Sequence, residues 1–461
     1  MPKQDDTIYG LYPTLYPFIS LRREVNGGFI FNPYLYNERW IDETGFEILT
    51  MFDGSRSLNN IIAVFAELHD IERDEAGRIL DQYLPEFNNY FAINWRETST
   101  PSKPQTLKTL KESPADTGYY SAPLSVLWDI TYRCNMKCPH CLIDYSKNPR
   151  EMNLNEVRSV LEKLKRAGVF TINFSGGEPL LREDFLEILE MASRHRFGLR
   201  ISTNGLLLNE ETLDQFIENT LYCVQISVDG LEKTHDAFRG MKGSYEKAMG
   251  ALRLSSQRGL HTTMSTMIIK PNLNEIPDLL DLAVESGVSS FKLNSFMPVG
   301  RGSQAAGLSI KKDELKRLAI KLSKRRARYR DRIDVQIDAV FPWLLDEKTT
   351  KEKMTVRGLK PPKKMRCSAG QTTLVISPDG TTYPCPYLTD FPLGNILENS
   401  FESIWHDNDG ILGRFRNLYQ NDLRGKCRDC KHPPSNCNGG CRAAAYNVAR
   451  DFYAEDPFCW K

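Results

Sequence analysis

The chain has 461 residues, is 41% hydrophobic and 26% charged, and sets 60 basic against 59 acidic side chains for a net charge of +1. That length holds two or three domains, and the balanced charge argues against a polyanion-binding surface, so no nucleic acid partner is expected. No stretch approaches the ~20 continuous apolar residues of a membrane span, and the opening MPKQDDTIYG lacks the apolar core of a secretory signal. The expectation is a soluble, cytoplasmic protein with no membrane partner. Disulfides rarely persist in that compartment, so 11 cysteines call for metal or redox chemistry.

Residues 1–95 contain no cysteine and open with FISLRREV, Asn26-Gly27 and GFIF. Asn-Gly between apolar-rich runs predicts a hairpin, because both residues tolerate the positive φ of a type I′ turn. Ser57 is placed to cap a helix carrying Ile61, Ile62, Phe65 and Leu68, and a second helical stripe takes Ile79, Tyr83, Phe87 and Phe91, with Pro85 expected to kink or divide it. Residues 96–123 are rich in Ser, Thr, Pro and Lys and read as a linker.

From 124 to 302 a βα rhythm appears six times, with strand candidates LSVLWDIT, FTINFS, LRIST, YCVQISV, TTMSTMII and SFKLNSF. Between the first two lies NLNEVRSVLEKLKRAG, a helix with Leu161 and Leu164 at helical spacing and Gly168 to end it. Such alternation predicts an α/β fold with a parallel sheet, here an open, partial (β/α)6 barrel. Residues 303–360 read as a charged, mainly helical bridge, and 361–461 as a cysteine-rich terminal domain.

In parallel α/β architectures functional residues gather where strands end, since the following loops converge on one face. Here the first strand is followed by Cys134, Cys138 and Cys141 with His140 among them. The second ends in Ser175-Gly176-Gly177-Glu178-Pro179, the third in Ser202-Thr203-Asn204-Gly205 and the fourth in Ser227-Val228-Asp229-Gly230. With 11 cysteines in 461 residues, chance gives that triplet spacing roughly 0.6% of the time. Three thiolates on a tight loop are soft ligands for an iron–sulfur cluster or zinc, one fewer than a cubane or a tetrahedral S4 site needs. Cys223, in an apolar strand, reads as a packing residue. His235 and His261 carry no spacing signal and read as exposed or locally bonded.

The triplet resembles the CxxxCxφC signature of the radical S-adenosylmethionine (SAM) superfamily, with His140 at the φ position and GGEP at the second strand end supporting it. The resemblance implies a [4Fe–4S] cluster on Cys134, Cys138 and Cys141, with SAM on the open iron. It places Gly176, Gly177 and Glu178 at the SAM amino group, Ser227 and Asp229 near the ribose, and His140 near adenine. Ser202 and Asn204 at the third strand end join the cofactor-binding set, Arg239 is the candidate carboxylate partner, and Asn294 with the MPVG run at 297–300 closes the adenine side.

The second array, Cys367, Cys385, Cys427, Cys430, Cys437, Cys441 and Cys459, resembles the SPASM domain of radical SAM maturases, with six residues between Cys430 and Cys437 where five are usual. That resemblance implies two auxiliary [4Fe–4S] clusters, making three in all. One would sit on Cys367, Cys385 and Cys441, and the other on Cys427, Cys430, Cys437 and Cys459. From the residues alone, one or two zinc ribbons fit the same spacing. Residues 1–95, through WIDETGFEILTMFDGSRSLNNIIAVFAEL, resemble the winged-helix-like recognition domain of ribosomal-peptide modification pathways, a three-stranded sheet on three helices. Such domains add a precursor's leader peptide to an exposed sheet edge.

The layout is most similar to thioether-forming peptide maturases. It implies a 5′-deoxyadenosyl radical that removes hydrogen from a precursor peptide, with a flavodoxin or ferredoxin as electron donor. C–C cross-linking or epimerisation would use the same parts. A formylglycine maturase is a further reading, although Pro386 rather than Asp follows Cys385. From a different class, a zinc-stabilised peptide-binding adaptor remains.

Overall fold

The computed structural model describes residues 6–102, 105–107, 119–143, 149–337, 367–430 and 439–459. The N-terminal region carries strands β1 (Tyr12–Leu15), β2 (Ser20–Glu24), β3 (Gly27–Asn32) and β4 (Asn37–Asp42), then helices α1 (Glu43–Thr50), α2 (Leu58–His69) and α3 (Arg73–Asn89), and β5 (Ile93–Arg96), which pairs antiparallel with β1. The β2–β3 hairpin forms, but Glu24 faces Gly27, so its loop is Val25-Asn26, one residue before the predicted turn. Asn26 supplies the positive φ of 60°. Gly27 is required for space, since a Cβ there would lie 2.2 Å from the Ile41 carbonyl oxygen.

Ser57 caps α2 as expected, accepting from the Asn60 N–H at 3.4 Å. Its buried stripe is Leu58, Ile61, Ile62 and Phe65, whereas Leu68 points to solvent. Pro85 does not divide α3, which runs through it; the helix buries Ala76, Leu80, Leu84 and Phe87. Phe91 lies beyond the helix end, exposed and at φ 51°, so it leaves the predicted stripe. The segment read as a linker contributes β6 (Gln105–Leu107), parallel to β2, which makes the sheet four-stranded in the order β4-β3-β2-β6. The outer edge of β4 is unpaired among the described residues.

All six predicted barrel strands form: β7 (Ser125–Thr131), β8 (Thr171–Gly176), β9 (Gly198–Thr203), β10 (Leu221–Ser227), β11 (His261–Ile268) and β12 (Ser290–Ser295). Each is parallel to the next. Between and after them run α4 (Leu154–Ala167), α5 (Phe185–Arg194), α6 (Glu210–Glu218), α7 (Glu232–Arg239), α8 (Ser244–Gln257), α9 (Ile276–Glu285) and α10 (Lys312–Arg328). The start of α4 is secured by a capping box between Asn153 and Glu156, and Gly168 ends it at φ 81°. The bridge is not only helical, for after α10 it adds β13 (Asp334–Ile337), parallel to β12.

The C-terminal part also extends this sheet. Its β14 (Thr373–Ile376) lies parallel to β7 on the other flank, followed by antiparallel β15 (Thr381–Tyr383) and β16 (Gly394–Asn395). Short helices α11 (Phe401–Trp405), α12 (Ile411–Arg416) and α13 (Arg442–Ala449) complete it. Phe401, Ile404, Trp405 and Leu412 share one continuous apolar core with the barrel helices. Up to Ile130 the side chains of β7 alternate: Val126, Trp128 and Ile130 are buried outward in that core, while Leu127 and Asp129 line a cavity inside the barrel.

The N-terminal region docks on the end of the barrel where strands begin. Arg22 is fully buried there, pairing with Glu24 at 2.9 Å, donating to the Gly168 carbonyl at 2.8 Å and lying over the Phe170 ring. Tyr36 stacks on Tyr222 at the start of β10 with 5.0 Å between centroids. Among the described residues no helix is long and apolar enough to cross a membrane.

Candidate active site at the barrel mouth

The loop carrying Cys134, Cys138 and Cys141 leaves β7, and the end of β8 is laced to its start. Gly177 N–H donates to the Thr131 carbonyl and Glu178 N–H to the Arg133 carbonyl, both at 2.8 Å. Gly176 takes φ 118°, and a Cβ on Gly177 would lie 2.1 Å from the Arg133 oxygen, so two glycines are what lets the two loops close on each other. With these amides spent, what the glycines offer an incoming ammonium is carbonyl oxygens.

Glu178 is fully buried. It accepts from Thr203 Oγ1 at 2.7 Å, Asn204 N–H at 2.8 Å and Leu180 N–H at 3.3 Å, and burial holds its carboxyl above the usual carboxylate range despite these bonds. It therefore ties the end of β8 to the end of β9. The Asn204 side chain reaches across to Asn135 Oδ1 at 2.7 Å, inside the cysteine loop. Ser202 sits lower on β9, bonded to Asn173 and Gln225 at 3.3 Å each.

Across the mouth, Asp229 and Arg239 form a buried ion pair at 2.5 Å. Burial opposes the Asp229 charge, but Arg239 and His140 together hold its carboxyl below the usual range. Arg239 also donates to Cys138 Sγ at 3.7 Å. Burial pushes the Cys138 thiol up, and the guanidinium beside it acts in the opposite sense, favouring thiolate. His140 stacks on Phe238 at 4.6 Å, and burial drives its pKa down to about 4, so the ring is neutral at neutral pH. Its Nδ1 is buried with no hydrogen-bond partner among the described residues. Ser227 and Asn294 lie at the ends of β10 and β12, with Asn294 donating to Ser265 Oγ at 2.9 Å. The glycine-rich turn after β12 closes on the cysteine loop, Gly302 N–H donating to the Cys141 carbonyl at 3.1 Å.

Two residues that spacing did not single out complete the site. His235 is 1% exposed, and its Nδ1 accepts the Asp229 backbone N–H at 3.0 Å; Asn272 Nδ2 donates to the Asp229 carbonyl at 2.8 Å. The available signal for His235 was its place four residues before Arg239, on the same face of α7. His261 is locally bonded near Tyr222, and Cys223 is buried at 1% exposure.

In the C-terminal part Cys367, Cys385 and Cys441 pack around one apolar cluster containing Leu388, Phe415 and Phe452. Elsewhere Cys427 and Cys459 lie close enough to act on each other, while Gln420 donates to the Cys430 carbonyl at 2.7 Å and Lys426 to the Cys459 carbonyl at 2.7 Å. Cys437 lies outside the described residues. Arg442, 1% exposed, acts on both Cys367 and Cys427, opposing the upward push of burial on each thiol.

Between the two cysteine regions lies a cavity of about 430 Å3. Tyr132 and Leu142 face it from the cysteine loop, Ser175 and Gly176 from the end of β8, and Val375 and Tyr383 from β14 and β15. Among the described residues no three His, Cys, Asp or Glu side chains are grouped for a single ion. A cubane places each thiolate on its own iron. A three-thiol loop, a guanidinium at one sulfur and an orphaned imidazole nitrogen beside it are a donor set suited to such a cluster with a ligand on its open corner.

Comparison with known proteins decides the family. Residues 128–283 match the Radical SAM superfamily and residues 367–431 an iron-sulfur cluster-binding domain, SPASM. The mycofactocin maturase MftC of Mycolicibacterium smegmatis is 31% identical over 352 residues, covering 73% of this chain and 83% of the relative. The chain belongs to the radical SAM/SPASM family. Membership implies SAM and [4Fe–4S] chemistry in an enzyme. The pre-heme d1 synthase of Dinoroseobacter shibae is 30% identical, covering 73% of this chain and 85% of that relative. In architecture the chain is similar to Streptococcus suis SuiB bound to precursor peptide SuiA, with a TM-score of 0.68 at 16% identity, covering 97% of this chain and 100% of SuiB.

Proposed function

We propose that this protein is a cytoplasmic peptide maturase that installs a thioether, from a cysteine sulfur to a carbon, in a ribosomally made precursor. The observation that carries the reading is the cavity walled by the barrel's cysteine loop on one side and the β14–β15 hairpin beside Cys385 on the other. A substrate held there lies between two thiol-rich centres. Cys134, Cys138 and Cys141 hold the first cluster; Cys367, Cys385 and Cys441 hold a second, and Cys427, Cys430, Cys437 and Cys459 a third. The cofactor supplies the radical that removes hydrogen from the substrate; the protein binds, orients and excludes water.

Around the nucleotide, the carbonyls of Gly176 and Gly177 accept from its ammonium and Glu178 fixes the strand ends that present them. Ser202, Asn204, Ser227, Asp229 and Asn294 supply polar groups to the sugar and base side, His140 offers its unpartnered nitrogen, and Arg239 holds Asp229 and Cys138. A precursor leader peptide adds to the edge of β4, which is unpaired among the described residues, since β6 occupies the opposite edge of that sheet. The name of MftC and the peptide bound to SuiB support a peptide substrate. A reducing protein such as flavodoxin or ferredoxin supplies electrons.

Anaerobic co-expression with a candidate precursor, followed by mass spectrometry, tests this. The expected product has lost two hydrogens per bridge, with alkylation-resistant cysteine. A product that keeps its free thiols while losing mass elsewhere rejects the thioether.

A further inference from the structure

We propose that the cavity between the cysteine loop and the β14–β15 hairpin is a subsite for a basic side chain of the peptide substrate, gripped by Asp129 with Asp379. The inference deepens the peptide-maturase reading and rests on it. Its starting point is β7, SVLWDIT, an apolar strand interrupted by one acid. Pleating turns Asp129 into the barrel with Leu127, and both line the cavity. Asp379 enters from the turn between β14 and β15. Its Oδ1 is committed to Ser377 Oγ at 2.6 Å and Thr381 N–H at 3.0 Å.

Two carboxylates thus share one cavity. Among the described residues lining it there is no lysine, arginine or histidine. Arg150 acts on Asp379 from outside the lining, but Glu156 grips it through two bonds of 2.7 and 2.8 Å. Burial pushes the Asp129 carboxyl up to about 7, and among the described residues no cation opposes that push. The remaining walls mix apolar side chains, Leu127, Val375 and Pro386 among them, with hydroxyls that include those of Tyr132, Tyr383 and Thr389. An aliphatic stem ending in a cation matches that mixture: the stem covers apolar wall and the head meets the acids. Neutral or acidic side chains of the same length would leave Asp129 uncompensated.

The test uses two blocked pentapeptides, acetyl-Gly-Gly-Lys-Gly-Gly-amide and its norleucine counterpart, titrated calorimetrically into the anaerobic full-length holoenzyme with SAM present. The lysine peptide is expected to bind at least about tenfold tighter, with the difference abolished in Asp129→Asn and reduced in Asp379→Asn. Equal affinity for the two peptides, or no affinity for either, overturns the subsite. So does a loss of SAM affinity in Asp129→Asn, which would assign the carboxylate to the nucleotide's ammonium instead. Leader binding at β4 and the mass shift of a modified precursor are separate measurements, so the subsite can fail while the maturase reading stands.

Discussion

His235 Nδ1 accepts the backbone N–H of Asp229 at 3.0 Å, so a residue at the first turn of α7 fixes the strand-end acid that pairs with Arg239 at its last. His235→Ala leaves that N–H buried and unpaired, which costs on the order of 1–3 kcal/mol and frees the Asp229 loop to shift. SAM affinity of the anaerobic holoprotein is expected to fall about tenfold or more with iron content unchanged. Calorimetric affinity equal to that of the native protein would remove His235 as a positioning residue.

The buried Asp229–Arg239 pair makes a second prediction. Asp229→Asn removes the charge that offsets Arg239 inside the protein, and breaking a buried pair from one side costs about 3–5 kcal/mol. Urea denaturation should show a loss of that order. A loss below about 1 kcal/mol, the value for a solvated pair, would place Arg239 in contact with water.

Asp129 sets the sign of a pH effect. Burial raises its carboxyl from 3.8 to about 7, so between those values the folded protein binds a proton that the unfolded chain releases. The stability this contributes is fully present below about pH 4 and is lost as pH rises through about 7. Among the described residues, the other ionisable groups facing it are Tyr132, Tyr383 and Asp379. Relative to Asp129→Asn, which does not titrate, the native protein should lose stability from pH 4 to 7. A constant difference between the two melting curves across that range would contradict it.

Much of the barrel was legible because a βα unit is local: strand, turn and amphipathic helix lie within one short stretch, and the motifs at Cys134, Gly176, Asn204 and Asp229 fall where strands end. What escaped was non-local. β14 pairs with β7 and β6 with β2 across long separations, and nothing in TTLVI or QTL names its partner. Phe91 continued a helical stripe in the sequence, yet the chain turns left-handed there and exposes it. Nothing local marks Arg22 and Arg442 as buried cations, since the carbonyls that accept from them come from other segments. Asp129 was not singled out in the sequence, because its meaning depends on the opposite wall, which comes from β14 and β15.

Arg442 lies between the two C-terminal cysteine groups, anchored by the Phe452 and Ala454 carbonyls at 3.0 and 2.8 Å. A fixed buried cation favours the more negative, reduced state of a nearby cluster. If the two proposed auxiliary clusters sit on these cysteines, Arg442→Gln should lower the reduction potentials of both in an EPR-monitored titration while iron content holds. Unchanged potentials with full iron content would reduce Arg442 to a packing role.

The N-terminal sheet meets the barrel where β8, β9 and β10 begin, while the cysteine loop lies where they end. A Cβ on Gly198, the first residue of β9, would touch Tyr36 at 2.8 Å and Phe31 at 3.0 Å. A strand of six residues spans roughly 20 Å, so a leader seated on β4 must be followed by at least about six extended residues before any modified position reaches the barrel mouth. In precursor variants with this spacer progressively deleted, modification should stop abruptly below that length while leader affinity stays within about twofold, because the edge contacts with β4 are untouched. Modification that persists with the spacer removed would mean that the leader is read elsewhere, nearer the cysteine loop.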